Sequence, residues 1–301
     1  MPDKTLAQFV CRNFERLQAD RRNWDSLYQT VADLMLPSRD FTTSRVGGEN
    51  RQLRLYDSTA QQELVKAASF LHGSLTNPAT KWFNLRHPDE DFNTYHPVRE
   101  WLDDCVNRML ALYNSTRYNF NTQSQEVFLD LVAFGTAAMI FTEKPDAIRF
   151  AARPLREMYL APDSDNGVEA VYRCFTISNR HAFRLWGDGV AKEVKRDLEK
   201  KPDDQIEVIH AVYPRSDRNP QKIDSINKPL ASVYVDKTHG HVMSESGFDE
   251  MPYLTPRFFK SAGEAYGRGF GVMMLPQVGM VNELRRVNLM AMELNLSLIH
   301  I

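Results

Sequence analysis

Residues able to do chemistry are sparse in this sequence and poorly grouped. His239-Gly240-His241, beside Lys237, is the closest pair of imidazoles. A metal site there would need Cys174 or His210 to arrive by folding, and a solvated turn accounts for the same residues. Gly267-x-Gly269-x-Gly271 matches half of a dinucleotide fingerprint. No strand–turn–helix unit with an acidic residue about 20 positions later frames it, so it reads as backbone freedom at a junction. Asp163-Ser164-Asp165-Asn166-Gly167 opens like a calcium loop but lacks the glutamate at the twelfth position. Asp103-Asp104 cannot both face one partner on a helix, because adjacent side chains diverge by about 100°. The sequence contains no Gly-x-x-x-x-Gly-Lys-Ser/Thr loop, no His-Glu-x-x-His and no Gly-x-Ser-x-Gly elbow. No catalytic residue, cofactor site or metal site is therefore expected.

The elements that would position side chains read as helices first, strands next and a helix last. Apolar residues from Phe9 to Leu34 recur near helical spacing, giving one or two helices over 5–36 that Pro37 stops. Residues 38–55 are polar and hold Gly47-Gly48 and four arginines, Arg39, Arg45, Arg51 and Arg54; they read as a mobile loop. Ser58 with Gln61 suggests a capping box opening a helix that Asn77-Pro78 ends. His96-Pro97 opens the next helix, with a stripe of Trp101/Leu102, Cys105, Met109 and Leu112/Tyr113. Another follows Asn121, with Val127, Leu131 and Phe134 inward. Beyond Gly135 the pattern becomes β-branched and aromatic, with a turn at Lys144-Pro145-Asp146 and strands near 168–177, 206–213 and 230–235. Phe141, Phe150, Tyr172, Val208 and Tyr234 are expected inside this β region, covered by a charged helix near 190–200. Helical character returns after Gly271, and 276–295 is apolar nearly all round. The fold class is α+β. Its expected units are a helical region over 1–136, a mostly β unit over 137–260, and a junction with the start of a long helix over 261–301.

Composition bounds the function classes. The chain has 301 residues, 43% apolar and 25% charged, ordinary for a globular protein. Its formal charge of −2 excludes a global positive field for nucleic acid. The three cysteines are scattered, with no Cys-x-x-Cys pair, which suits reduced thiols. The N-terminus lacks an apolar signal core, and no stretch reaches the roughly 20 apolar residues of a membrane span. The expectation is a soluble intracellular chain.

Four segments, in order, resemble the head-to-tail connector, or portal, proteins of short-tailed bacteriophages. The first runs from Tyr56-Asp57-Ser58 through Gly73 to Asn77-Pro78 and Trp82-Phe83. The second is Trp101-Leu102 leading into Phe134-Gly135-Thr136. The third is Arg153-Pro154-Leu155 with Tyr159 and Asp165-Asn166-Gly167. The fourth is Tyr266-Gly267-Arg268-Gly269 followed by Leu275-Pro276 and Asn282-Glu283. One departure is Phe270, where the family favours proline, which is expected to loosen the junction locally.

This resemblance implies a truncated portal fold with wing-like N-terminal parts and a helix running toward a stem. It implies a homo-oligomeric ring of twelve at a capsid vertex, with double-stranded DNA in its channel for packaging and ejection. The implied partners are the large terminase ATPase, scaffold or capsid protein and tail adaptor proteins, with no membrane. The location is the virion, and the host cytoplasm during assembly. Arg285 and Arg286, with the loop arginines, become candidate channel or partner contacts. A near-neutral chain suits a channel in which DNA must slide, since each fixed phosphate contact adds affinity. The resemblance also makes this sequence an N-terminal portion, and Leu296–Ile301 reads as translated adapter sequence. Two other classes remain: a nucleic-acid enzyme or packaging-motor component, which would need clustered acidic ligands or a nucleotide loop, and a cytosolic helical adaptor.

Overall fold

The structure is a computed structural model that describes residues 3–42, 55–144, 147–165, 167–219, 221–222 and 224–299. Its first helix, α1 (Asp3–Met35), is a single helix of 33 residues, about 50 Å at ~1.5 Å per residue. Leu6, Val10, Phe14, Leu17, Tyr28, Val31 and Met35 belong to its buried stripe, which buried Arg21 and half-buried Trp24 continue between Leu17 and Tyr28 at the spacing of three or four that one helical face requires.

Four helices follow: α2 (Thr59–Leu75), α3 (Glu90–Thr94), α4 (His96–Asn114) and α5 (Phe120–Phe134). The capping box at Ser58 does not form; the Asp57 carboxylate instead accepts from the Thr59 amide at 2.9 Å. On α4 the buried residues are Val106 and Leu110, while Trp101 is 65% exposed. The inward stripe is thus rotated slightly from the one expected, with Leu102, Cys105, Met109 and Tyr113 half-buried beside it. Val127, Leu131 and Phe134 of α5 are buried as their spacing requires.

The β residues form two sheets, and every strand pairing is antiparallel. Strands β1 (Met139–Lys144) and β2 (Ala147–Ala152) pair in register from Met139↔Ala152 to Lys144↔Ala147. The meander β3 (Met158–Pro162), β4 (Val168–Ser178), β5 (Gln205–Pro214), β6 (Leu230–Asp236) and β7 (His241–Phe248) makes a five-stranded sheet in chain order. The short β8 (Tyr253–Leu254) returns to the free edge of β1. Between β4 and β5 lie α6 (Asn179–Trp186) and α7 (Lys192–Asp197). Only α7 is legible as a charged helix; α6 has eight residues, too few to display a period.

Both faces of the five-stranded sheet are covered. The N-terminal half of α1 packs Leu6, Val10 and Phe14 on Ile209, Ala211 and Val233. The α6–α7 pair packs Ala182 and Val194 on Ile206, Val208 and Met243. The alternation of strand side chains explains why β5 is buried almost throughout. Tyr172 and Val208 are buried, whereas Phe141, Phe150 and Tyr234 are half-buried. Phe150 instead closes an aromatic cluster with Phe120 and Tyr113, at centroid distances of 5.1 and 5.9 Å.

The C-terminal half of α1 joins a second core, with Tyr28, Val31 and Met35 against Leu64, Ala68, Ala133 and Phe134. One helix therefore packs on both the helical region and the sheet. The chain ends in α8 (Phe270–Met273) and α9 (Leu275–Ile299).

Candidate functional site

Parts of the family-like segments that are far apart in sequence, Tyr56-Asp57, Gly135-Thr136, Tyr266–Gly269 and Asn282, meet at the root of α9. Gly135 ends α5 with φ 85°, a left-handed conformation that favours glycine. Its carbonyl accepts from Phe258 N at 2.8 Å, and Thr136 Oγ1 accepts from Gly267 N at 2.8 Å. The strand-like bridges Thr136↔Arg257 and Phe259↔Arg268 flank this crossing. A Cβ on Gly135 would overlap the Arg268 carbonyl carbon; one on Gly267 would lie 2.5 Å from Gly135 O, and one on Gly269 2.5 Å from Val132 O. The glycine run allows two backbones to touch. It is not a flexible junction, and no nucleotide-type turn surrounds it. Phe270, expected to loosen the junction, packs on Phe258 and Phe259 at 5.2 and 5.6 Å.

Aromatic and cationic groups brace this crossing from below. The Tyr266 hydroxyl accepts from Leu160 N at 3.1 Å, and Arg268 lies over the Trp24 ring and pairs with Glu264. Arg21 is fully buried and donates to the carbonyls of Leu155 and Met158, while its Nε pairs with Asp25 at 2.8 Å. Its guanidinium stands 4.8 Å from the Tyr159 ring and 5.6 Å from the Tyr266 ring. Burial raises the hydroxyls of Tyr266 and Tyr159, the latter to about 12, so both stay protonated. In sequence Arg21 looks like one more polar residue on an amphipathic helix, and nothing there marks it as a core group.

Above the crossing, Tyr56 and Asp57 are held on α9. Asn282 Oδ1 accepts from Tyr56 N at 2.7 Å and from Asp57 N at 3.2 Å, and Arg285 Nε donates to Asp57 at 3.2 Å. Hydrogen bonds from the Thr59 hydroxyl and amide, and then Arg285, hold Asp57 below the usual carboxylate range. A groove of about 410 Å³ adjoins this contact, lined by Met35, Ala60, Leu64, Phe270, Met274 and Val278 among others. Beyond this contact every residue from Val287 to Leu296 is exposed, including Leu289, Met290, Met292 and Leu294, although Asn288, Leu289 and Met292 still line a shallow pocket with Tyr56 to Thr59.

The remaining sequence candidates fall elsewhere. Arg286 pairs with Glu283 within α9. Arg39 is committed to Asp130 at 2.7 Å and Glu126 at 3.2 Å; burial pushes Asp130 up to about 6 against the pull of Arg39. Arg45, Arg51 and Arg54 lie outside the described residues. Gly73 sits inside α2 with open space around it. Asn77 makes a turn by accepting from Ala79 N, and Pro78 O accepts from Asn114. The Gly167 carbonyl closes a turn by accepting from Asp163 N, and Pro276 is the second residue of α9.

The histidines do not converge. His239 pairs with Asp236 at 2.7 Å, and His241 Nε2 meets the Gly189 carbonyl. His210 is buried between Tyr253 and Ser232 and stacked on Tyr234. Among the described residues no three His, Cys, Asp or Glu side chains are placed to hold a metal, and no helix is long and apolar enough to cross a membrane.

Comparison with known proteins gives consistent matches. The family described as "Bacteriophage head to tail connecting protein" matches residues 7–299. The portal protein of Salmonella phage epsilon15 is 29% identical over 283 residues, which are 91% of this chain and 50% of that protein. The probable portal protein of Bordetella phage BPP-1 is 29% identical over 276 residues, 89% of this chain and 49% of that protein. The chain spans about half the length of these curated relatives.

Proposed function

The chain belongs to the bacteriophage head-to-tail connecting proteins, and from that premise we propose that it is a structural subunit of a portal ring. The ring takes twelve copies at one capsid vertex and passes double-stranded DNA during packaging and ejection. It docks the large terminase ATPase during filling and tail adaptor proteins afterwards, and it contacts scaffold or capsid protein at its rim. It works in the virion after assembly in the host cytoplasm, and it carries no catalytic role of its own.

The observation that supports this reading is α9. It is a helix of 25 residues with only four charged side chains, Glu283, Arg285, Arg286 and Glu293. Its root is held at the glycine crossing while its apolar outer turns are exposed on all sides. Such a helix is stable in water only when covered, and cyclic packing of identical helices covers it while leaving a central passage. Arg285 and Arg286 are engaged with Asp57 and Glu283, so their part in the channel is to keep charges paired rather than to grip phosphate.

Negative-stain imaging of the purified protein tests the proposal. End-on views should show closed rings with a central hole. Discrete monomers or dimers at assembly concentrations would defeat it.

A further inference from the structure

Two stripes run side by side along α9. Met280, Leu284, Val287, Ala291 and Leu294 recur at alternating intervals of four and three residues, and Val281, Arg285, Asn288 and Met292 each stand one position after the first four. Neighbouring residues diverge by about 100° around a helix, so the stripes are two separate faces. The second stripe is one wall of a trough. Val278 and Val281 line the 410 Å³ groove, and Arg285, Asn288 and Met292 line the adjoining pocket of about 360 Å³. The start of α2 makes the other wall, with Asp57 and Thr59 common to both hollows. The first stripe is a ridge: all five of its residues are apolar and exposed. It is about 20 Å long at ~1.5 Å per residue, and the trough wall from Val278 to Met292 has the same length. The charges that line the trough are paired, Asp57 with Arg285 and Glu63 with Lys66.

We propose that the ridge of one subunit seats in the trough of a second copy of this chain, a contact that rests on the ring reading and supplies its subunit-to-subunit joint. A ridge against a ridge would make a two-fold contact that stops at two chains and leaves the trough unfilled. A ridge in a trough joins two different faces of the same helix. Each bound subunit still offers a trough on one side and a ridge on the other, so the contact repeats in one rotational sense and can close a ring. The ridge brings no charge into a trough whose own charges have partners, so no ion is buried without its counter-charge.

Light scattering of two complementary variants tests this contact. Met280→Gln/Leu284→Gln/Val287→Gln removes the ridge and keeps the trough. Gln277→Arg/Val281→Arg, at exposed positions of the trough wall, blocks the trough and keeps the ridge. Each variant alone should fall to the mass of one chain, 34.7 kDa. An equimolar mixture should double that mass and stop there, because one intact ridge meets one intact trough and nothing remains to extend. If the unaltered chain assembles, then assembly of either variant alone, or a mixture that stays at one chain, overturns the ridge-and-trough contact and leaves the ring reading standing. A monomeric unaltered chain overturns both. Thermal unfolding checks each fold; where a multiple variant loses cooperative unfolding, Leu284→Gln and Val281→Arg alone, at exposed residues, carry the same mixing test.

Discussion

Gly135 and Gly73 both lie in segments shared with the connector family, yet their surroundings separate them. Gly135 needs a positive φ, and a Cβ there would collide with the Arg268 backbone. Gly135→Ala should lower unfolding free energy by about 3 kcal/mol or more, measured by urea titration. Gly73 has nothing within 4 Å of a Cβ and sits inside a helix, so Gly73→Ala should raise stability by about 1 kcal/mol. The opposite ranking would mean that the crossing is misplaced. Charge follows the same logic at Asp130. Its folded value, about 6, lies above the ordinary carboxyl value because burial outweighs the Arg39 pair. The contribution is therefore present below about pH 4 and is lost as pH rises through 6. His210 acts oppositely: burial holds it near 3, so its contribution is present above about 6.5 and is lost on acidification. Unfolding at pH 4 and pH 7 in Asp130→Asn should remove a slope of up to about 3 kcal/mol from the difference with the unaltered chain. A constant difference would show that Asp130 is not buried as described.

The helices differ in how far their sequences specify their neighbours. The buried face of α1 is legible because its two halves meet two cores along one stripe. The face of α4 is less so, since a helix with apolar residues on several sides can turn any of them inward, and only tertiary packing selects Val106 and Leu110. The same ambiguity on α9 is not resolved among the described residues, where every side chain from Val287 to Leu296 is exposed. Leu284→Ser and Leu289→Ser should each change monomer stability by less than about 0.5 kcal/mol, because the two residues are already 57% and 47% exposed. The pair should nonetheless abolish higher-order assembly in light scattering. Normal assembly of the double variant would show that α9 is not the covered surface.

At the scale of the molecule, α1 joins the core of the helical region to the five-stranded sheet, the chain closes at the glycine crossing, and one helix projects. A chain with formal charge −2 has little long-range repulsion to keep exposed apolar helices apart. The 301-residue chain should therefore self-associate, with a light-scattering mass well above 34.7 kDa. A single sharp monomer peak at all concentrations would contradict the exposure of α9.

The short α3 and α6 and the strands β3, β7 and β8 went unread in the sequence, which by itself determined the broad order of helices first, strands next and a helix last, the stop at Pro37, the start at Pro97 and the family. Those signals reside in neighbouring residues, where water on one face and core on the other impose a period. It also marked Gly135, Gly267, Asp57 and Asn282 as a set without saying what they do. Only the tertiary structure decided that Gly135 lies against Arg268, that Asn282 holds residues 225 positions away, and that Arg39 faces Asp130 rather than solvent. Such pairings are fixed by chain closure over long loops. A backbone contact without side chains, or a single hydrogen bond between distant segments, leaves no period in either segment from which it could be read.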